Sequence, residues 1–388
     1  MSLGMFNPAT KDDSQRVLRK TERPDFKVMV AYPPLDSPKG TPLLGQNRQF
    51  QYFHHPTFIY PMVPSMAATL LKQRGFNTDY CDAIARQWNY PRFLEHVRKF
   101  KPNLMAIETK SPTVKKFWAI IDSLKAEFPD MQIALMGDHI TAFPEESFPN
   151  SKVDFCFEGG HYDYLLSDLA DHLAEGLPLR GGIWHRDSSH GGGAKKTGMP
   201  VTTVNMEILP FIDRDLTEWY RYGEKWYRRY PNTMTMVGRD CAYGKCTFCS
   251  WTTTHPTYSS RKPESLLDEM GILIEKYGMR EIFDDTGTFP TGGWMSRFAR
   301  GMIDRGYHKK VLFDCNMRFD WLRQADTDLM ALDGPGATTA GLLLARTGTA
   351  GVVDAHVVVC ARRAKQAIVT SDPGALRRIA PDLPLVIV

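Results

Sequence analysis

Three cysteines, Cys241, Cys246 and Cys249, fall within nine residues in the run DCAYGKCTFCSW. Thiolates so close on one loop are metal ligands far more readily than disulfide partners in a reducing compartment. Each can take a different iron of a four-iron, four-sulfur (4Fe-4S) cluster, leaving the fourth iron without a protein ligand and open to a small molecule. A structural zinc site is the alternative: His255 lies six residues beyond Cys249 and would complete a Cys3His set. Inert thiols are the third. The chain has seven cysteines in all. The other four, Cys81, Cys156, Cys315 and Cys360, sit in apolar, strand-like runs and read as core packing.

The elements that must position this loop follow from the apolar periodicity. From Phe26 onward, short apolar runs (FKVMVAYPP, TDYCDA, LMAIET, QIALMG, VDFCFEGG, GGIWHRD) alternate with amphipathic stretches near 62–74, 92–100, 114–128 and 162–173. That alternation predicts a doubly wound, Rossmann-type parallel sheet with helices on both faces over 26–186, after a flexible N-terminus over 1–25. In such sheets ligands bind outside the carboxyl ends of the strands, which makes 32–45, 108–113, 137–143 and 158–161 the candidate crevice. His54 and His55, beside Tyr52, Phe53 and Tyr60, form an aromatic-rich loop after the first strand that could close over a ligand.

The Gly-, Ser- and Lys-rich stretch 187–200 reads as a linker or exposed hairpin, and the whole of 187–232 as a connection. Three further strand-helix units follow, with strands TMTMVGRD, REIFDDT and KVLFDCNMRF. They predict the first part of an α/β barrel over 233–322, whose chemistry would sit at the strands' C-terminal ends. The composition then breaks: no Phe, Tyr or Trp follows Trp321, and Lys365 is the sole lysine beyond it. Residues 323–388 are expected to form a short, separate α/β tail.

Bulk properties exclude several classes. With 48 basic and 44 acidic residues the net charge is +4, which gives no electrostatic basis for nucleic acid or a membrane surface as partner. No run approaches the roughly 20 apolar residues of a membrane span, and 1–24 lacks the apolar core of a secretory signal. A cytoplasmic protein acting on a small molecule is the expectation.

Taken together and in order, LPFIDRDL, MVGRDCAYGKCTFCSW, RKPESLLDEMGILIEKYGMREIFDDTGTF and FDCNMRFD resemble the cobalamin-dependent branch of the radical S-adenosylmethionine (radical SAM) superfamily, over about 26–322. The resemblance implies that Cys241, Cys246 and Cys249 ligate the cluster and that S-adenosylmethionine chelates the open iron. It implies that Phe248 packs beside the adenine, and that Asp284, Asp285 and Thr286 receive the amino group. Asn316 and Arg318 would then meet the ribose or carboxylate. The usual motif has three residues between its first two cysteines, whereas CAYGKC has four; Gly244 can absorb the extra one in a positive-φ bulge. Family members need an electron donor such as flavodoxin or ferredoxin, and many are methyltransferases.

The segments VAYPPLDSP, GDHITAFPEE and VDFCFEGGHYDYLLSDL resemble the cobalamin-binding domain that precedes the barrel in this branch. Gly137, Asp138 and His139 would be loop contacts to cobalamin. The Asp-x-His-x-x-Gly signature of cobalt-ligating histidines is absent, because Ala142 stands where its glycine would be. Cobalt without a histidine ligand is the expectation. The tail resembles the C-terminal half of a PIN-domain ribonuclease, with Asp354 and Asp372 matching two of that family's metal-binding acids. The rest of that acidic set is not identifiable, so nuclease activity is not expected. A non-catalytic corrinoid or metal-binding protein is the other alternative to a radical enzyme.

Overall fold

The structure is a computed structural model. It describes residues 11–42, 44, 52–54, 58–187, 193–223, 227–318, 334–349, 351–365, 367–370 and 373–387. The chain forms two compact units, 1–318 and 319–388.

A seven-stranded sheet dominates the first unit. Its strands are β1 (Lys27–Tyr32), β4 (Asn77–Asp82), β5 (Leu104–Glu108), β6 (Gln132–Met136), β7 (Phe155–Phe157), β8 (Ile183–Arg186) and β9 (Ala194–Lys196), in the order β4-β1-β5-β6-β7-β8-β9. The first five are mutually parallel and the last two antiparallel. β5 is buried along its whole length and β1 at every residue after the first, which is why both read as unbroken apolar runs rather than alternating ones.

Helices α2 (Met62–Gln73), α3 (Tyr90–Phe100), α4 (Val114–Glu127) and α7 (Tyr162–Glu175) cover the sheet. The β1-α2-β4 crossover runs one way along the sheet and the following crossovers run the other. Right-handed connections then put α2 on the opposite face from α3 and α4, and α2 packs against α7. Local signals end these helices: Asn89 caps α3 by accepting from the Arg92 N–H at 3.1 Å, and Gly176 closes α7 with φ 74°. The strand order reverses between β1 and β5, so the crevice lies where Tyr32 and Glu108 leave the sheet.

Two stretches are more firmly built in than their composition suggests. Helix α1 (Lys11–Leu18) occupies part of the N-terminal 1–25 expected to be flexible. It buries Val17 completely and pairs Arg16 with Asp168 of α7 at 3.1 Å. The expected connection 187–232 supplies β9, which pairs antiparallel with β8 on the sheet's edge. Further on, Val204, Met206, Leu209, Ile212 and Tyr222 enter the main core. These apolar residues are too widely spaced to register as an element, yet they bury as fully as the strands.

A three-stranded parallel sheet follows, β10 (Asn232–Thr235), β13 (Glu281–Asp284) and β14 (Leu312–Cys315), in the order β10-β13-β14 with helices α9 (Pro263–Glu275) and α10 (Gly293–Asp304). This is the expected beginning of a barrel. Leu266, Met270, Ile282, Phe289 and Phe298 form its own core, while Met234 and Met236 belong to the first, so the two sheets are continuous in packing. Small elements complete the unit: the pairs β2 (Thr41–Pro42) with β3 (Tyr52–Phe53) and β11 (Gly238–Arg239) with β12 (Ser259–Ser260), and the short helices α5 (Asp138–Ala142), α6 (Ser147–Asn150) and α8 (Trp251–Thr254).

The second unit contains α11 (Gly334–Thr347), α12 (Val352–Ala364), β15 (Ile368–Thr370), α13 (Pro373–Ile379) and β16 (Leu385–Ile387), with β15 and β16 parallel. It has a small core of Val358, Ala361, Ile368, Leu376 and Ile379. Cys360 lies on α12 rather than in a strand: VVDAHVVVCARRA repeats its buried positions at helical spacing, with Ala355, Val358, Val359 and Ala361 turned inward. Among the described residues no single helix is long and apolar enough to cross a membrane.

Candidate active site

The cysteine loop is strung between β11 and β12, whose antiparallel pairing of Arg239 with Ser259 and Gly238 with Ser260 closes its base. Gly244 has φ +57°, with nothing closer than 3.6 Å to where a Cβ would stand, so it takes the left-handed turn that the four-residue CAYGKC spacing needs. Cys241, Cys246 and Cys249 line one open pocket, together with Gly244, Lys245, Trp251, Thr252 and His255. Among the described residues the three thiols do not fall within 4.8 Å of one another, the closeness a single shared ion demands. A cluster in which each thiolate takes its own iron has no such demand.

The surroundings of Cys241 make its thiol more acidic. Burial alone would push its thiol up, but the Thr288 hydroxyl at 3.0 Å, the backbone N–H groups of Gly244 and Tyr243 and the Arg318 charge hold it below the usual thiol range. The thiolate is the form that binds metal. Arg318 stacks on Tyr243, its guanidinium 3.5 Å from the ring centre. Phe248 is 90% exposed and is not among the pocket's lining residues.

The exit of β13 is a dense internal network. Asp284 is fully buried; its Oδ2 accepts from the Thr235 hydroxyl at 2.8 Å and the Val237 N–H at 3.0 Å, and its Oδ1 from the Thr286 N–H at 3.1 Å. Thr286 Oγ1 accepts from the Gly238 N–H at 2.8 Å. Asp285 is buried and its N–H donates to the Thr235 carbonyl at 2.8 Å. Asn316 donates to the Thr286 carbonyl at 3.2 Å from the neighbouring strand exit. These residues fix the loop at β10, β13 and β14, and Asp284 spends its carboxylate on that task.

Arg239 and Asp163 shape the loop but carry no signal of their own in the sequence, and His255 and 158–161, expected as a candidate ligand and a crevice segment, meet each other. Arg239, two residues before Cys241, donates to both carboxylate oxygens of Asp163 in α7 at 2.8 and 2.7 Å, and both side chains are buried. His255 packs its ring 4.9 Å from that of His161. Gly160 passes so close that a Cβ there would stand 2.3 Å from His255 Cε1, and its N–H donates to the Thr254 carbonyl at 2.8 Å. Both histidines are neutral: burial and then the Arg239 charge lower His161 to about 3, and burial, His161 and Arg239 hold His255 well below its usual value. The strand-exit segment 158–161 is therefore packed against the cysteine loop. The GRD and GGHYD runs were the available signals, but nothing local in them names their partner.

At the sheet's switch point the Tyr32 hydroxyl donates to Glu108, which burial holds above the ordinary carboxylate range. Lys110 is buried, 3.9 Å from Asp138. The buried Tyr162 hydroxyl makes no hydrogen bond of ordinary geometry among the described residues; Thr141 and the Gly137 backbone are its polar neighbours, and Glu108 and Asp138 its charged ones. An orphaned hydroxyl in this crevice fits a polar group of a bound ligand. Gly137 has φ +127° and lies against the Thr109 carbonyl, where a Cβ would stand 2.0 Å from the oxygen, so β5 and β6 can meet only over a glycine. Asp138 accepts from the His139 N–H at 2.9 Å. Both ring nitrogens of His139 are engaged, with Ser111 at 3.0 Å and Glu146 at 3.1 Å, and Trp118 and Phe143 flank the ring. A histidine so tied is not offered to a metal. His54 is exposed on the bend after β3, and His55 lies outside the described residues. In the tail, Asp354 is half-buried in the first turn of α12; Asp372 lies outside the described residues.

The fold is that of the cobalamin-dependent radical SAM enzymes: a parallel-sheet domain followed by barrel units. Three solved structures represent the likeness. The cobalamin-dependent S-adenosylmethionine radical enzyme OxsB with aqua-cobalamin bound superposes with a TM-score of 0.57 at 17% identity, over 75% of this chain and 39% of that one. The same enzyme with aqua-cobalamin and S-adenosylmethionine bound gives 0.59 at 16% identity, over 94% of this chain and 49% of that one. The radical S-adenosylmethionine methyltransferase TsrM from Kitasatospora setae, with tryptophan substrate and a SAM analogue bound, gives 0.52 at 16% identity, over 74% and 54%. This chain thus spans about half the length of these proteins or less. No protein-family profile and no curated protein matches it.

Proposed function

We propose that this chain is a radical SAM enzyme, holding a 4Fe-4S cluster on Cys241, Cys246 and Cys249 for the reductive cleavage of S-adenosylmethionine. We further propose that it carries cobalamin at the β1/β5 crevice and performs methyltransferase-type chemistry on a small molecule, with electrons from a donor such as flavodoxin or ferredoxin. The observation that carries this reading is the convergence of the three thiols on one pocket at the exit of the barrel strands. The fold, shared with cobalamin-dependent radical enzymes, supports it.

When bound, the cluster would supply one electron and an open iron for the amino and carboxylate groups of S-adenosylmethionine. The chain's own residues would do the rest. Thr288 and the backbone N–H groups of Tyr243 and Gly244 favour the thiolate form of Cys241. Trp251 and His255 wall the pocket against water. Phe248, exposed beside the cysteines, is available to lie along an adenine ring, and the backbone and side chains at 284–286 with Asn316 and Arg318 frame the methionyl end. In the crevice, Gly137, Asp138 and the Tyr162 hydroxyl are the contacts for the corrin, and His139 remains on Ser111 and Glu146.

The test is to supply the anaerobically reconstituted protein with S-adenosylmethionine, hydroxocobalamin and a low-potential reductant. Formation of 5′-deoxyadenosine or S-adenosylhomocysteine, lost in Cys246→Ala, supports the reading. A protein that carries a full cluster yet consumes no S-adenosylmethionine would reduce it to a non-catalytic metal-binding protein.

A further inference from the structure

Away from the cysteine loop, on the edge strand of the main sheet, one other group of side chains has the chemistry of a metal site. Asp79 and Cys81 are two residues apart on β4 and so project from the same face. His96 reaches them from α3, its Nε2 2.7 Å from Asp79 Oδ2. One ligand atom from each of Asp79, Cys81 and His96 lies within 4.8 Å of the other two, and among the described residues no other set of three such groups meets that closely.

We propose that Asp79, Cys81 and His96 form a second metal site, one that takes zinc. One thiolate, one imidazole and one carboxylate suit a borderline, tetrahedral ion; magnesium and calcium require an all-oxygen set. The fourth position is left to water. The ligands are oriented from outside, as metal ligands generally are. Arg86 donates to Cys81 Sγ at 3.3 Å and is itself held by Glu218 at 2.8 Å and the Tyr80 carbonyl at 3.2 Å. The Trp88 ring meets His96 edge-on at 5.4 Å. Access is from one side: Cys81 is buried, whereas the side chains of Asp79 and His96 are 20% and 27% exposed.

Burial holds Cys81 as a thiol, and capture of the ion displaces that proton to solvent. One S–Zn, one N–Zn and one O–Zn bond form; the His96–Asp79 hydrogen bond opens, and the imidazole proton that Nε2 donated to Asp79 shifts to Nδ1, freeing Nε2 for the ion. The Arg86 guanidinium beside the sulfur opposes a cation, so this site is weaker than a multi-thiolate zinc site. It shares no residue with the cysteine loop and stands or falls independently of the radical SAM reading.

The test uses the full chain with Cys241, Cys246 and Cys249 all replaced by Ser, titrated anaerobically with Co²⁺ and then with Zn²⁺. The expected result is a thiolate-to-cobalt charge-transfer band saturating at one equivalent, displaced by zinc, absent after Cys81→Ser and weakened about tenfold or more by His96→Gln. His96 lies half-exposed on α3, so that variant serves even where the buried Cys81→Ser does not fold. A triple-Ser protein that is folded by circular dichroism and gives no such band overturns the proposal. So does a band unchanged by either further substitution.

Discussion

Arg239 and Asp163 grip each other through two hydrogen bonds of 2.8 and 2.7 Å, buried, 76 positions apart in sequence. Asp163 is in the first turn of α7, and Arg239 immediately precedes Asp240 and Cys241. The cysteine loop is thereby referenced to the N-terminal sheet as well as to its own barrel strands. Breaking a buried pair by removing one partner leaves the other charge uncompensated, at about 3–5 kcal/mol. Arg239→Ala should therefore lower the melting temperature markedly and reduce the iron retained after reconstitution. An unchanged melting temperature would show that the pair does not anchor the loop.

Gly160 and His255 give a second handle on the same junction. A Cβ at Gly160 would stand 2.3 Å from the His255 ring, and overpacking of this kind costs about 1–3 kcal/mol. Gly160→Ala should destabilise the protein, and the double variant Gly160→Ala/His255→Ala should lose less than the sum of the two single losses. Strict additivity in that cycle would mean that the ring is not what the new methyl meets.

Asp82 sets a pH signature. Burial raises its carboxyl to about 6, even though it accepts from Tyr222 at 2.8 Å and from the Ala85 N–H at 2.8 Å. The ordinary aspartate value is about 3.9, so the folded state binds the proton more tightly than the unfolded one. Its contribution to stability is complete below about pH 4 and is lost as pH rises through 6. Asp82→Asn, which stays neutral throughout, should gain on the wild type between pH 4 and pH 8, by on the order of 2–3 kcal/mol. Denaturant unfolding at the two pH values measures it, and an equal difference at both would contradict the raised carboxyl.

The engagement of His139 with Ser111 and Glu146 predicts that cobalamin binds without it. Full-length protein with His139→Ala should bind hydroxocobalamin within about threefold of wild type, a change under 1 kcal/mol, with an unchanged cobalt spectrum. Loss of binding together with a spectral shift would show that the ring leaves those partners to ligate cobalt.

What the sequence disclosed and what it concealed divide along one physical line. Strands β1, β5 and β6 were legible because burial on both faces leaves an unbroken apolar run, and the cysteine loop because its three thiols stand within nine residues of one another. Gly244 was legible for the same local reason. The Arg239–Asp163 pair, the His161–His255 contact and the orphaned Tyr162 hydroxyl were not, since each depends on which distant segment packs opposite, and no local pattern encodes that. The same limit explains 187–232, whose scattered apolar residues pack individually into the core, and Asp284, whose place in a strand-exit motif does not say that Thr235, Val237 and Thr286 already occupy its carboxylate.

The proposed function stands on Cys241, Cys246 and Cys249 holding an iron–sulfur cluster with one open iron. Its most direct test is iron and sulfide counting after anaerobic reconstitution, with electron paramagnetic resonance of the reduced protein before and after adding S-adenosylmethionine. Expected are about four irons and four sulfides per chain, a signal that shifts on adding S-adenosylmethionine, and loss of both in Cys241→Ala, Cys246→Ala or Cys249→Ala but not in Cys81→Ala. Stoichiometric zinc at these cysteines with no iron taken up, or iron that persists equally in all four variants, would contradict it.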